Sequence, residues 1–225
     1  MEIFVIDIET IPNQSLPIEC IPTFDSSVVK TGNMGEEKAQ AKIAKERDKF
    51  EKALVKKMSV NPVLCQVCAF SSILYETENN KIIDKINMVN DEFQCVYHAW
   101  DSISKYCDEM TPLVTYNGIN FDIPVLIFRA MALKIPIPFI TKKLLRKYRS
   151  DIHCDLMQLL ANWDREKWKS LEFYINLFGL GKKQGHGSEI YAWWQNKEFD
   201  KIIAHCKEDV RLTLELFKRV SPWMI

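Results

Sequence analysis

One short segment constrains the fold of this sequence more than any other, because it places two carboxylates inside an apolar, β-branched run. The run extends from Phe4 to Thr10 and contains Asp7 and Glu9 two positions apart. Such a run is typical of a buried strand, whose side chains alternate between two faces. Asp7 and Glu9 are then predicted on one side, and the apolar side chains fill the core: Val5, Ile6 and Ile8.

Two neighbouring anions at a strand end repel each other and lose hydration, so they need a neutralising partner. A divalent metal ion is the obvious candidate, because carboxylate oxygens are its preferred ligands. The same segment also fits an ordinary strand end with two solvated acids. The rest of the chain has to decide between these two interpretations.

Composition limits the classes of protein that this chain can form. With 225 residues, 47% hydrophobic and 27% charged, it can bury a full core, and we expect a single domain over residues 1–225 with an insertion at about 13–57. Thirty basic and thirty acidic residues leave no net charge, so polyanion binding has to come from local patches. The sequence shows neither a signal peptide nor a long apolar run, which predicts a soluble, cytoplasmic protein without a membrane partner.

The seven cysteines indicate reduced thiols rather than a disulfide framework, since their number is odd and their spacing irregular. Cys65 and Cys68 form a lone Cys-x-x-Cys, but their segment resembles a strand that points them to opposite faces. Neither a second such pair nor a histidine pair completes a zinc site. Buried core thiols are therefore expected.

The pattern of elements predicts an α/β fold with a mixed sheet flanked by helices and a helical C-terminal half. A proline-containing loop is predicted over Ile11–Phe24 and a charged surface helix over Glu36–Met58. The predicted strands after the first are Val63–Tyr75, Lys81–Val89 and Leu113–Tyr116. The other predicted helices are Asp91–Met110, Ile123–Leu133, Asp155–Trp163, Trp168–Phe178, Ser188–Gln195 and Phe199–Val220.

The clearest local positive patch lies between Lys142 and Arg149. It contains five basic side chains and no acid. A run of this kind is either a solvated surface or a place where phosphate groups bind.

Polar residues far from the first strand complete a possible site. Asp122 is predicted at the N-cap of a helix beside a strand end, and His205 and Asp209 are four residues apart on one helix face. Each is unremarkable alone, as a helix cap or a polar pair. Together with Asp7 and Glu9, the acids could form a pocket for two divalent ions that hydrolyses phosphodiesters.

Three motifs in this order resemble the DEDD superfamily of 3′–5′ exonucleases. They are Val5–Thr10, Tyr116–Pro124 (Tyr-Asn-Gly-Ile-Asn-Phe-Asp-Ile-Pro) and His205–Val210. The chain is most similar to the stand-alone relatives of the proofreading domain of family B DNA polymerases. The similarity extends through Ser59–Pro62, His153–Met157, Ser170–Leu171 and Gly179–Leu180, nearly the whole chain except Asn13–Lys57. It implies the ribonuclease-H-like fold.

The resemblance implies a role for each motif residue. Asp7, Glu9 and Asp209 would hold the metal that carries the attacking water, and Asp7 with Asp122 would hold a second metal at the leaving 3′ oxygen. The metals implied are Mg²⁺ or Mn²⁺. Substrate contacts are implied for Thr10, Asn117 and Phe121, although core packing explains Phe121 equally well.

His205 departs from the family pattern. One subfamily has Tyr-x-x-x-Asp in the last motif, and the other has histidine separated from the aspartate by four residues. This chain combines histidine with the spacing of the first subfamily. Since one residue rotates a helical side chain by about 100°, the two geometries are not interchangeable. We interpret His205 as a general base or water-orienting group, with a bystander role as the alternative.

The function implied is a metal-dependent 3′–5′ exonuclease acting on single-stranded DNA, RNA or short oligonucleotides. Two alternatives stay open. One is a catalytically weak or inactive nucleic-acid-binding or scaffold module of the same fold. The other is a phosphodiesterase for small nucleotide signals, with access restricted by the segment Asn13–Lys57.

Overall fold

A mixed sheet of five strands forms the centre of the computed structural model, which describes residues 1–183 and 185–224. The strands lie in the order β3-β2-β1-β4-β5. β1 pairs antiparallel with β2 and parallel with β4, β2 pairs antiparallel with β3, and β4 pairs parallel with β5. Their bounds are β1 Glu2–Pro12, β2 Cys65–Glu76, β3 Lys81–Val89, β4 Leu113–Thr115 and β5 His153–Asp155.

Helices cover both faces of the sheet, which confirms the predicted α/β class. They are α1 Glu36–Ser59, α2 Glu92–Tyr106, α3 Asp122–Leu133, α4 Thr141–Leu144, α5 Leu156–Leu160, α6 Leu171–Phe178, α7 Ile190–Gln195 and α8 Phe199–Met224. Short 3₁₀ turns lie at Ile18–Cys20, Ser26–Val28, Arg165–Lys167 and Gly187–Glu189. One core cluster joins the sheet to α2 and α3, and a second joins it to α6 and α8.

The first strand is buried on both faces, as its uninterrupted apolar run predicts. Phe4, Ile6 and Ile8 pack towards α2 and α3, whereas Val5 packs towards α6 and α8. Because side chains alternate, Asp7 and Glu9 share the face of Val5. This face lies under α8, the element that also carries the last motif.

The predicted loop from Ile11 begins too early, because β1 continues through Pro12. Ile11 and Pro12 pair with Gln66 and Cys65 beyond an irregularity in register after Glu9. Ile11 is fully buried in a cluster with residues of α7 and α8. Burial of this side chain offsets the ladder hydrogen bond that a proline cannot donate.

The prediction of one helix over Asp155–Trp163 is also wrong. This segment contains the end of a strand followed by a short helix. β5 ends at Asp155, whose side chain then caps α5 by accepting hydrogen bonds from the Met157 and Gln158 amides. A strand of three residues is too short to show a periodicity. The helix predicted from Trp168 begins at Leu171 with Ser170 as its N-cap. It ends as predicted at Gly179, which has a φ of 64°.

The surface features agree in part with the sequence. α1 is a surface helix as predicted, with Met58 as its buried residue. All seven cysteines are free thiols, and Cys65 and Cys68 are buried in different core clusters. Within the part of the chain that the structure describes, no helix is both long and apolar enough to cross a membrane.

Candidate active site

The predicted acids meet where β1 passes under α8. A carboxylate oxygen of Asp7, one of Glu9 and the Cys206 sulfur lie within 4.8 Å of one another. A second group within the same distance contains oxygens of Glu9 and Asp209 and a ring nitrogen of His205. Residues separated by about two hundred positions in the sequence therefore form one cluster of potential metal ligands.

Asp122 also contacts β1. It is not the helix N-cap that the sequence predicted. It is the first residue of α3, and Phe121 occupies the N-cap position. Its Oδ1 accepts a hydrogen bond of 3.3 Å from the backbone amide of Ile8, between the two acids of β1. This contact joins Asp122 to the strand that carries Asp7 and Glu9.

The electrostatics of the cluster are those of crowded anions in a dry environment. Burial raises the pKa of Asp7 and Glu9 well above their ordinary values, and the charges of Asp209 and Asp122 raise both pKa values further. Burial is also the main reason that the pKa of Asp122 is raised to about 7. The cluster is therefore short of positive charge, which a cation can supply.

Sequence reasoning missed Lys183, the ammonium group beside this cluster. Its Nζ lies 2.5 Å from Oδ2 of Asp209, and its charge lowers the pKa values of Asp7 and Glu9. Lys183 follows α6 in a loop without periodicity, so its position next to α8 had no signal in the sequence. One ammonium balances only part of the charge of four carboxylates.

The donor set fits a divalent metal ion. Four carboxylates converge, and the second oxygen of Asp209, Oδ1, is buried without a hydrogen-bond partner among the described residues. A buried carboxylate oxygen without a donor is costly, and coordination of a cation removes that cost. Oxygen donors of this kind suit Mg²⁺ or Mn²⁺.

His205 faces the acids as the last motif predicted. Its Nε2 lies 3.6 Å from Oε1 of Glu9 and 3.9 Å from Oδ2 of Asp209, and the residue is 4% exposed. The Trp193 ring approaches it edge-on, with 6.0 Å between ring centroids. A cavity of about 340 Å³ opens beside it and is lined by Gly185, Trp193 and Lys201. The imidazole is thus close to the carboxylates and next to a space that water can enter.

The three residues predicted to contact substrate have other contacts in the structure. Thr10 donates a hydrogen bond of 2.6 Å to the carbonyl oxygen of Ser59, which joins β1 to the end of α1. Asn117 has a φ of 71°, and its Oδ1 accepts a hydrogen bond from Asn120. Phe121 is half-buried against the core cluster below α2 and α3. Substrate contact by these residues stays a prediction.

Asp155 holds the loop that leads to Asp122. Its carboxylate accepts hydrogen bonds from the backbone amides of Asn117 at 2.9 Å and Ile119 at 3.0 Å, in addition to the two at the start of α5. Within this loop, a Cβ on Gly118 would lie 2.3 Å from the Thr115 hydroxyl, so only glycine fits. The motif around His153–Met157 was noted in the sequence, but its hydrogen bonds were not predictable.

Comparison with known proteins identifies the class. The family B DNA polymerase of Pyrobaculum calidifontis superposes with a TM-score of 0.59 at 17% identity, covering 99% of this chain and 25% of the polymerase. This likeness confirms the ribonuclease-H-like fold of exonuclease domains. DNA polymerase 1 of Pyrococcus abyssi is 30% identical over 123 residues, which cover 49% of this chain and 16% of that protein. A match to the Thermococcus aggregans DNA polymerase is 32% identical and covers 49% of this chain and 7% of that protein.

The chain also matches a family model over residues 59–223, described as a predicted 3′–5′ exonuclease related to the exonuclease domain of PolB. The chain belongs to this family. The matched residues include Asp122, His205 and Asp209, whereas Asp7 and Glu9 precede them. The chain spans less than a fifth of the length of these polymerases.

Proposed function

We propose that this protein is a metal-dependent exonuclease that removes nucleotides from the 3′ end of single-stranded DNA, RNA or short oligonucleotides. The observation that carries the proposal is the convergence of four carboxylates from β1, α3 and α8 at one place. Asp7 and Glu9 come from the strand, and Asp122 and Asp209 come from the two helices. Such a group is too highly charged to serve as core packing, but it suits metal-assisted phosphodiester hydrolysis.

The residues have separate roles in this proposal. Asp7, Glu9 and Asp209 would hold one divalent ion, and Asp7 with Asp122 would hold the other. Bound Mg²⁺ or Mn²⁺ supplies a nucleophilic water at neutral pH and neutralises charge on the leaving oxygen. The orphaned Oδ1 of Asp209 supports its place among the ligands.

His205 orients the attacking water or accepts its proton. Its Nε2 lies near Glu9 and Asp209, which are the proposed ligands of the water-carrying ion. A ring nitrogen of a neutral imidazole can accept a proton from an attacking water. The cavity beside His205 gives water and the 3′ end a route to this group.

Lys183 competes with a metal ion for Asp209. The ammonium lies on Oδ2 of this carboxylate, where it partly neutralises the cluster. Asp209 would have to release this ammonium in order to hold a divalent ion, which carries twice the charge of the lysine. Lys183 then becomes available to a phosphate group of the substrate.

Local patches rather than net charge bind the nucleic acid. Of the five basic residues between 142 and 149, Lys143 pairs with Glu109 and Arg149 pairs with Asp151. Lys142, Arg146 and Lys147 form no ion pair within the described residues, and they support the proposed phosphate contact. This limited patch favours short or single-stranded ends over long duplexes.

Digestion of 5′-labelled single strands of DNA and RNA with Mg²⁺ or Mn²⁺ tests the proposal. We expect a ladder that shortens from the 3′ end, and we expect it to be absent in EDTA and in Asp7→Asn. Asp200→Asn is a matched control, because Asp200 is an exposed acid in the first turn of α8 and belongs neither to the acid cluster nor to the lining of the cavity beside His205. Binding without digestion would favour the scaffold module, and hydrolysis of dinucleotides alone would favour the small-nucleotide phosphodiesterase.

A further inference from the structure

A second cavity lies at the edge of the sheet where the parallel strands β4 and β5 end. Its volume is about 230 Å³, and it is lined by polar, basic and aromatic side chains. Ligands bind beyond the carboxyl ends of strands in open α/β sheets. Asn120 lines the cavity, and Asp122 follows two residues later, so one loop links the cavity to the acid cluster.

Two buried hydrogen-bond donors at this cavity have no acceptor. Neither Nε2 of Gln158 nor Nε1 of Trp168 has a partner within the described residues, and both residues line the cavity. Gln158 is 3% exposed, so bulk water does not satisfy its amide. Orphaned donors of this kind are rare in folded proteins. A ligand with acceptor atoms would satisfy both.

An aromatic pair forms another wall. The rings of Tyr148 and Trp163 lie 5.1 Å apart at an angle of 43°, and Tyr148 is 73% exposed. Both residues have positive φ, 62° for Tyr148 and 59° for Trp163. Bulky residues rarely adopt this strained conformation, and such strain concentrates at ligand sites. The backbone thus holds two rings beside the cavity at an energetic cost.

Positive charge completes the site. The Arg165 guanidinium lies over the Trp168 ring, with 5.4 Å to its centroid. Lys147, from the basic segment between 142 and 149, also lines the cavity and forms no ion pair within the described residues. Aromatic faces combined with basic groups are the usual means of holding single-stranded nucleic acid.

We propose that this cavity binds one nucleotide of the single-stranded substrate, at a distance from the hydrolysed end. Its base packs on Tyr148 and Trp163, and acceptor atoms on the base receive the hydrogen bonds of Gln158 and Trp168. Its phosphate pairs with Lys147 and Arg165. Every nucleobase has an aromatic face and acceptor atoms, so the cavity binds without strong sequence preference. This inference rests on the proposed exonuclease function and adds a binding subsite to it.

Substrate length is the property that this subsite controls. A strand with its 3′ end at the acid cluster reaches the cavity only if it continues past the loop that contains Asn120. In this proposal a dinucleotide occupies the acid cluster and leaves the cavity empty. Loss of the subsite should therefore raise the KM for a decanucleotide, leave its kcat unchanged and leave dinucleotide hydrolysis unaffected.

The experiment uses Trp168→Phe, Tyr148→Ala and Arg165→Ala, with Trp223→Phe as the matched control. Trp168→Phe keeps an aromatic ring but removes the N–H donor, and Trp223 is 85% exposed near the end of α8. The Kd of a labelled decanucleotide is measured by fluorescence anisotropy with each variant in an Asp7→Asn background in EDTA. KM and kcat are measured without that background substitution.

We expect Tyr148→Ala and Arg165→Ala to raise the decanucleotide Kd and KM about five- to tenfold, the low end of the effect of losing one base stack. Trp168→Phe should raise both about threefold, and Trp223→Phe should change neither. Unchanged Kd values in all three cavity variants would overturn the subsite, even if the parent protein digests strands. An equal loss with the dinucleotide would also overturn it. Cavity-dependent binding by a parent that digests nothing would support the subsite and refute the exonuclease.

Discussion

Buried carboxylates occur in two regions of this molecule, and they differ in what surrounds them. Asp155 lies at the end of β5 and accepts hydrogen bonds from the backbone amides of four residues. Within the described residues, the acids of the cluster have far fewer donors: Asp122 accepts one from Ile8, and Asp209 pairs with Lys183 but leaves Oδ1 without a partner. Burial alone therefore does not distinguish a structural acid from a metal ligand, whereas the supply of donors does.

The difference has opposite consequences for stability. The four amides around Asp155 supply hydrogen bonds to its buried oxygens, so this carboxylate stabilises the loop before Asp122. In the cluster, burial and mutual repulsion disfavour the charged forms of Asp7 and Glu9 when no metal is bound. Asp155 thus stabilises the fold. The acid cluster destabilises the metal-free protein, and its donor set fits a divalent ion.

The largest expected effect is that of Asp7→Asn on activity. Loss of this shared ligand should lower kcat/KM for a labelled strand about 10³-fold, the upper end of the cost of losing one transition-state charge contact. The same substitution removes a buried charge, so thermal unfolding in EDTA should occur at a higher temperature than in the parent. If Asp7→Asn were as active as the parent protein, the acid cluster would have no role in the reaction.

Asp155→Ala should have the opposite effect on stability. Removing the carboxylate leaves several buried amides without an acceptor, so we expect the free energy of unfolding to fall by about 3 kcal/mol. Urea unfolding measures this, and Asp151→Ala is a matched control, since Asp151 is an exposed acid paired with Arg149. A change within about 0.5 kcal/mol would contradict the structural role of Asp155.

His205→Ala tests the part that α8 contributes to the cluster. If His205 handles the proton of the attacking water, kcat should fall about 100-fold, and the pH dependence between about 5.5 and 8 should change shape. His205→Tyr should recover part of the loss if orientation is what matters. The general-base role would be wrong if wild type and His205→Ala had equal rates and equal pH profiles.

The stability of the metal-free protein should depend on pH in a direction set by Asp122. Its pKa of about 7 lies above the ordinary value of 3.8, so the folded protein retains a proton that the unfolded chain has lost between these values. Stability is then greatest below about pH 4 for this group and falls as pH rises to about 7. A difference of about three pKa units corresponds to a decrease of about 4 kcal/mol, which urea unfolding in EDTA measures. Asp122→Asn or added Mn²⁺ should flatten this slope.

The smallest expected effect concerns Lys183. Lys183→Met removes the cation that competes for Asp209, so Mn²⁺ should bind about threefold more tightly by calorimetry, an energy of about 0.6 kcal/mol. Lys182→Met is a matched control, because Lys182 forms no ion pair within the described residues. Weaker Mn²⁺ binding by Lys183→Met alone would show that Lys183 supports the metal site rather than competing for it.

Sequence periodicity predicted the elements that are long enough to show it. The first strand, the hairpin of β2 and β3, and helices α2, α3 and α8 lie close to their predicted bounds. Periodicity does not predict the short strand β5 or the position of Pro12 in β1, because three-residue pairing and tertiary burial leave no periodic signal. The division into a single domain with an insertion at about 13–57 stays a prediction.

The sequence by itself determined which residue types are available to the proposed site, since its three motifs specify them and place Asp7 and Glu9 on one face of a buried strand. Only the tertiary structure decided the surroundings of each acid. The amides around Asp155, the lysine beside Asp209, and the donors of Gln158 and Trp168 all depend on contacts between distant segments. Local pattern fixes the direction of a side chain along its own element, but the partner it meets depends on how the elements pack.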